Sequence, residues 1–399
     1  MIYSILDTDL YKFTTSYAYM KLFPDAECTF TFKDRNNVKR SPEFLEHFKN
    51  VLQTYCNNAC LTATEFNLIK ESHRVDFIPT YYWEWLLSFR FDYDKINVRL
   101  DKNGVLCMDV TDKCYKATLY EIPCLFMVPE VNNDGKEINW LKTQEALVEK
   151  IKLANSNGML FSEFGTRRRF NFEVQDKVVD CLKHLSNTCV GTSNVYLALK
   201  YGMKAIGTHP HEWFMFHAAI YGYKAANYMA LENWVKVYDG DLGIALSDTY
   251  TSDVFFKSFS LKQAKLFDGV RQDSGDEYEF INKTIEFYKS KGIDPTTKTI
   301  VFSNALDFPK AAEIKEFCNG KIKCSFGIGT NLTCDVYDND GNKYSHENIV
   351  MKMSRCRMNA NQDWRNTIKI SDDLGKHMGD SEEFKHAMYE LNIDGLNVN

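Results

Sequence analysis

The spacing of apolar positions divides this 399-residue chain into two regimes. In the first, TDLYKFTTSYAYMKL (residues 8–22) repeats apolar and aromatic side chains at the interval of one helix face, with Thr8 or Asp9 placed to cap the start. The run CTFTFKDR, Cys28 to Arg35, alternates with a period of two and predicts a half-buried strand. Residues 41–91 read mainly as helices. Between 96 and 128, the runs INVRL, GVLCMDV and KATLYEIPCLFMV predict short strands of a small mixed sheet, with Asn103-Gly104 turning between the first two. The polar, turn-rich VNNDGKE (131–137) predicts a linker.

Beyond it, short apolar runs each end in a polar or glycine-containing cluster: MLFSEFGTRRR, CVGTSN, KAIGTHPHEW, LGIALSDTY, DGVRQDSGD, TIVFSNALD and CSFGIGTN. The segments between them, such as EFINKTIEFYKSKG, have helical spacing and are mostly long enough for a crossover. Seven such units predict a parallel α/β barrel whose clusters meet at one mouth, with an open doubly wound sheet as the alternative. The expected organisation is a first domain over residues 1–136 and a catalytic barrel over 137–345. Residues 346–399 should return to the first domain, and the closing NIDGLNVN should fray.

Composition narrows the class. A hydrophobic fraction of 44% supplies enough apolar surface for two cores, and a formal charge of -6 gives no general attraction to nucleic acid. No run of 18 apolar residues occurs, and MIYSILDTDLYKF lacks a basic, then apolar, leader, so a cytoplasmic protein with no membrane partner is expected. The twelve cysteines are scattered without CxxC spacing, which predicts reduced thiols.

The clusters carry chemistry suited to anions. Ile206 to Phe214, IGTHPHEWF, puts two histidines at a strand-to-helix junction, with Pro210 expected at the first helical position. EFGTRRR offers arginine forks for carboxylate or phosphate, Arg167 foremost, with Phe164 able to stack on a ring. VRQDSGD supplies Arg271, Asp273 and Asp276, a mixture suited to phosphate with sugar hydroxyls or magnesium. FGIGT presents backbone amides that can surround a phosphate, and Asp248 in SDTY could hold an imidazole in one tautomer. Together they suit a multiply phosphorylated sugar. The plainer readings are a core histidine, a solvated charge run and an ordinary turn.

TDLYK, FGTRRR, GTSN, the GTxxHEWF pattern, VRQDSGD, KTIVFSNALDF and FGIGTNLT, in this order over nearly the whole chain, resemble the nicotinate phosphoribosyltransferase family. The resemblance implies an N-terminal α/β sandwich-like domain plus an incomplete TIM-like α/β barrel. It implies a ligase and glycosyltransferase of NAD salvage that joins nicotinate to 5-phosphoribosyl 1-pyrophosphate, giving nicotinate mononucleotide and pyrophosphate. ATP and magnesium would be required, and ATP hydrolysis would be coupled through a phosphohistidine in a head-to-tail homodimer with shared active sites.

Residue by residue, the resemblance assigns phosphorylation to His211, with Asp248 orienting it, and leaves His209 a loop or capping role. Phe164 and Tyr11 would sandwich the pyridine ring, Tyr11 coming from the neighbouring subunit with Asp9 beside it, and Arg167 would hold the carboxylate. Thr192 and Ser193 fall on the substrate loop. Arg271 and Asp273 would contact the ribose phosphate part, with Asp248 and Asp273 as possible magnesium ligands. Asp307, Gly327, Gly329 and Thr330 would surround ribose and 5'-phosphate. Similar nicotinamide-using enzymes carry an aspartate at the position of Ser193, so serine there implies nicotinate as substrate. Two rivals remain at this stage: a barrel hydrolase using His209 and His211 as a metal pair, and a binding module without turnover.

Overall fold

The computed structural model describes residues 2–373 and 376–393. Its strands fall into three groups along the chain. The first third supplies β1 (Glu27–Asp34), β2 (Ile96–Leu100) and β3 (Leu106–Lys113). The middle supplies β4 (Phe161–Glu163), β5 (Cys189–Thr192), β6 (Lys204–Ala205), β7 (Ile244–Leu246), β8 (Gly269–Gln272), β9 (Thr299–Phe302) and β10 (Lys323–Ile328). The tail supplies β11 (Ile349–Arg357) and β12 (Arg365–Asn366).

The middle strands form one sheet in the order β6-β5-β4-β10-β9-β8-β7, with every neighbouring pair parallel. In a doubly wound sheet the chain would step outward from a central strand and restart beside it. Here the last strand, β10, lies against the first, β4, with Phe326 opposite Phe161 and Ile328 opposite Glu163. That is how a barrel closes, and the break falls between the consecutive strands β6 and β7. The incomplete barrel is therefore the architecture.

The other sheet, ordered β12-β11-β1-β3-β2, is antiparallel throughout rather than mixed. The tail strand β11 pairs with β1 along its length, from Glu27 opposite Arg357 to Asp34 opposite Ile349. One continuous apolar core runs beneath both sheets.

Three local expectations change. KATLYEIPCLFMV is not a strand: residues from Cys114 onward wind into short turns and then the Glu121–Asn132 helix. Ile122 through Val128 are all buried, so the helix has no polar face and its pattern carries no period to distinguish it from a buried strand. Pro123 falls in the first turn, where its missing N–H costs nothing. The 131–137 run starts within the last turn of that helix and continues as an exposed turn, Gly135 taking φ 73°, anchored where the buried Asn133 side chain donates to the Phe170 carbonyl. Asp9 does cap the Leu10–Leu22 helix by position, but its carboxylate is turned away from the helix amides. Of the closing NIDGLNVN only Asn392 and Ile393 are described, so the expected fraying lies mostly outside the described residues.

All twelve cysteines are unpaired thiols. Among the described residues, no helix is long and apolar enough to cross a membrane.

Candidate active site

The carboxyl ends of the barrel strands bring the predicted clusters to one mouth, and His211 is its hub. The His211–Tyr221 helix begins at His211 itself, with Pro210 one residue earlier as the N-cap. The imidazole is buried, with Nδ1 3.0 Å from Thr249 Oγ1 and Nε2 3.1 Å from Asp273 Oδ2. Lys369 Nζ also lies 3.0 Å from Nε2. An ammonium only donates and an ionised carboxylate only accepts, so Lys369 asks for a lone pair on Nε2 while Asp273 asks for a proton there. The ring is poised between two tautomers. Burial, then the Lys369 charge, push its pKa down to about 4 against the pull of Asp248 and Asp273, which leaves a neutral nucleophilic imidazole at neutral pH.

The carboxylate within hydrogen-bond reach of the ring is thus that of Asp273, where Asp248 was expected. Asp248 Oδ1 stands 3.8 Å from Nε2, beyond hydrogen-bond reach. Its other oxygen accepts from Ser274 Oγ at 2.6 Å and faces Lys369 at 3.5 Å. Arg271 does not reach outward either. Its guanidinium donates to Ser303, Thr208 and Asp273 at 2.7, 3.0 and 2.8 Å, and so fixes the Asp273 carboxylate.

A second cluster forms around the start of the Leu10–Leu22 helix. Ser193 Oγ donates to Asp9 Oδ1 at 2.7 Å, and Leu10 N donates to the Ser193 carbonyl at 2.8 Å. Arg167 feels the charges of Glu121, Asp273 and Asp9, yet it has no hydrogen bond or ion pair among the described residues. A half-buried guanidinium left open in this way is a seat for an anion. All of these groups belong to one chain. Within this chain Asp9, at the start of the first helix, reaches Ser193, and Tyr11 lies within electrostatic range of Arg167.

Phe164 lies against β10. A Cβ at Gly327 would come within 2.5 Å of its ring, so only glycine leaves the ring where it is. Gly329 precedes the short Thr330–Thr333 helix at the same end of β10. Asp307 is exposed at the strand-end loop after β9 and accepts from Lys310 N at 2.8 Å, capping the Phe308–Cys318 helix. Thr192 is internal: its hydroxyl donates to Glu163 at 2.5 Å. Asp276 caps the Glu277–Ser290 helix. His209 lies in the loop between β6 and the His211–Tyr221 helix and is not its cap, which is Pro210. It is fully buried in the seam between β6 and β7, edge-on to Trp234 at 4.4 Å and flanked by Phe214 and Phe267. Burial pushes its pKa down to about 3, with the Ile244 backbone opposing. Among the described residues the one cluster with metal-ligand spacing is His211, Asp248 and Asp273, so a His209–His211 metal pair has no geometric support.

The sequence reading missed the cations contributed by the other sheet and the tail. Arg35, just past β1, and Lys352 in β11 both face Arg167 and make no side-chain hydrogen bonds or ion pairs among the described residues. Burial pushes the Lys352 ammonium down to about 7, with Glu121 opposing and Arg167, Lys369 and Lys12 adding to the fall. Lys376 braces the Asp273 loop, donating to the Asp273 carbonyl at 2.8 Å. One signal was available: in IVMKMSRCR the lysine interrupts an apolar strand, and an inward-facing charge needs a reason.

Comparison with known proteins agrees with this geometry. The sequence profile of the nicotinate phosphoribosyltransferase (NAPRTase) family matches residues 159–393, and that of its N-terminal domain matches residues 6–129. The chain is 40% identical to the nicotinate phosphoribosyltransferase of Methanosarcina mazei, over 99% of this chain and 100% of that one. It is 39% identical to that of Desulforapulum autotrophicum, over 98% and 99%. The crystal structure of the enzyme from Porphyromonas gingivalis superposes with a TM-score of 0.95 and 45% identity, over 98% of this chain and 100% of that one.

Proposed function

The chain belongs to the nicotinate phosphoribosyltransferase family, and from that premise we propose that it joins nicotinate to 5-phosphoribosyl 1-pyrophosphate with ATP hydrolysis coupled through phosphorylation of His211. The observation that carries the substrate assignment is the open guanidinium of Arg167, within electrostatic range of Tyr11 and Asp9, on the same strand-end loop as the glycine-backed Phe164. A flat aromatic acid satisfies both features, its ring between the aromatic side chains and its carboxylate on the fork. Ser193 offers a neutral hydroxyl, which adds no charge against that carboxylate and binds Asp9.

The polyphosphate end falls to Arg35, Lys352 and Lys369. These cations, of which Arg35 and Lys352 lack side-chain partners among the described residues, stabilise the charge gathering on pyrophosphate as the glycosidic bond breaks and the ribose becomes oxocarbenium-like. His211 supplies the neutral lone pair that attacks the γ-phosphorus of ATP as the bond to the bridging oxygen breaks and ADP leaves, with Lys369 beside the ring to offset the incoming charge. Thr249 and Asp273 hold the ring at its two nitrogens.

Magnesium fits the same corner. Asp248 Oδ1 is buried and has no hydrogen-bond partner among the described residues, and with Asp273 it offers the oxygen donors this ion prefers. Asp248 and Asp273 would hold the ion, which supplies charge screening for the phosphates when bound.

Mass spectrometry of protein incubated with ATP tests the phosphorylation. Phosphate should be found on His211, and phosphate on another residue, or on none, contradicts the mechanism.

A further inference from the structure

Behind the mouth lies a buried charge cluster that the chemistry above does not use. Lys12 Nζ contacts Glu212 Oε2 at 2.5 Å, Thr118 Oγ1 at 3.1 Å and the Glu121 carboxylate. Thr118 in turn donates to the second Glu212 oxygen at 2.5 Å. Lys12 and Thr118 are 0% exposed, Glu121 2% and Glu212 3%, so water screens none of these charges. Burying each ion costs several kcal/mol, and an apolar cluster of the same volume would hold the fold together at least as well. Stability alone does not account for the arrangement.

Its position in the fold does. Lys12 lies in the first turn of the Leu10–Leu22 helix, Glu212 in the first turn of the His211–Tyr221 helix, and Glu121 opens the Glu121–Asn132 helix. Three helix starts meet at one ammonium, and their positive ends offset the second carboxylate. Lys12 directly follows Tyr11, and Glu212 directly follows His211. Tyr19 adds a hydrogen bond from its hydroxyl to the Glu212 carbonyl at 3.3 Å. Glu121 faces Lys352 and Arg167 on its other side, so the cluster forms the back wall of the site.

We propose that Lys12 is a positioning residue for the reaction: by clamping Glu212 and Glu121 it holds Tyr11, at the ring end, and His211, at the phosphate end, in fixed register within one chain. This rests on the assignment of Tyr11 and His211 to the two ends of the site. A misplacement of about 1 Å can cost on the order of a hundredfold in rate, so a rigid tie is worth its burial cost.

The test separates register from stability. Lys12→Met combined with Glu212→Gln removes one charge of each sign, so the cluster keeps its net charge while the clamp is lost. Thermal midpoint, and kcat and KM for nicotinate and for 5-phosphoribosyl 1-pyrophosphate, are measured on the folded protein. The midpoint should fall, because Glu121 stays buried without Lys12, while kcat/KM for nicotinate, corrected for the folded fraction, falls at least about tenfold and KM for 5-phosphoribosyl 1-pyrophosphate changes less than about twofold. Wild-type kinetics in the double variant overturns the proposal, as does a loss that only tracks the folded fraction. Thr118→Val, which keeps its shape and removes one brace, decides the matter if the double variant does not fold: kcat/KM for nicotinate should fall about threefold at an unchanged midpoint, and no change overturns the proposal. Absence of nicotinate mononucleotide formation by the wild type would instead overturn the functional assignment beneath it.

Discussion

Asp273 sets its Oδ2 3.1 Å from Nε2 of His211 while Arg271 grips its other oxygen at 2.8 Å. The histidine is therefore oriented by the carboxylate of the strand-end loop after β8, not by the one after β7. Asp273→Asn keeps the shape but removes the charge that draws a proton to Nε2. Steady-state kinetics should show kcat reduced by about a hundredfold, the low end for a positioned acid–base partner. A kcat within twofold of wild type would return the orienting role to Asp248.

Ser193 shares its proton with Asp9, so an aspartate at 193 would set two carboxylates face to face. Every ionisation of the new carboxylate adds to the charge of Asp9 and stands against the nicotinate carboxylate. Repulsion of about 4 kcal/mol at ~4 Å with an effective dielectric of about 20 corresponds to roughly a thousandfold in affinity. Ser193→Asp is expected to lose nicotinate turnover by about that factor in kcat/KM, measured against nicotinamide as the competing substrate. Unchanged kinetics remove Ser193 from substrate selection.

Lys352 makes a pH prediction with a definite sign. Its amine is charged below about 7 and neutral above. A phosphate docked against it favours the charged form, so binding above that pH must draw a proton from solvent. KM for 5-phosphoribosyl 1-pyrophosphate should rise with pH above 7, by at most about tenfold per unit for one linked proton. Lys352→Gln should show a higher KM at pH 6.5 and a flatter profile to pH 8.5. A variant profile as steep as wild type would assign the linkage elsewhere.

Much of this site was legible in the chain because barrel strands are short apolar runs that end abruptly. The punctuation after Glu163, Thr192, Gln272 and Ile328 marks the mouth from residue order alone. Partners within a cluster were harder to assign. Asp248 and Asp273 lie on neighbouring strands, and a 0.7 Å difference in reach to His211 has no trace in the sequence. Lys12, Arg35 and Lys352 were missed for a different reason. Lys12 and Lys352 are single charges in an apolar helix and strand, Arg35 ends an ordinary charged turn, and their use is visible only once the antiparallel sheet and first helix fold over the barrel. The Glu121–Asn132 helix was misread because burial on every side erased its period.

The most direct measurement is product analysis with nicotinate, nicotinamide and quinolinate, each with and without ATP, on the wild type and on His211→Asn. The wild type should form nicotinate mononucleotide from nicotinate alone and respond to ATP, and His211→Asn should lose that response. Equal use of nicotinamide by the wild type, or full ATP-coupled turnover by His211→Asn, would contradict the assignment.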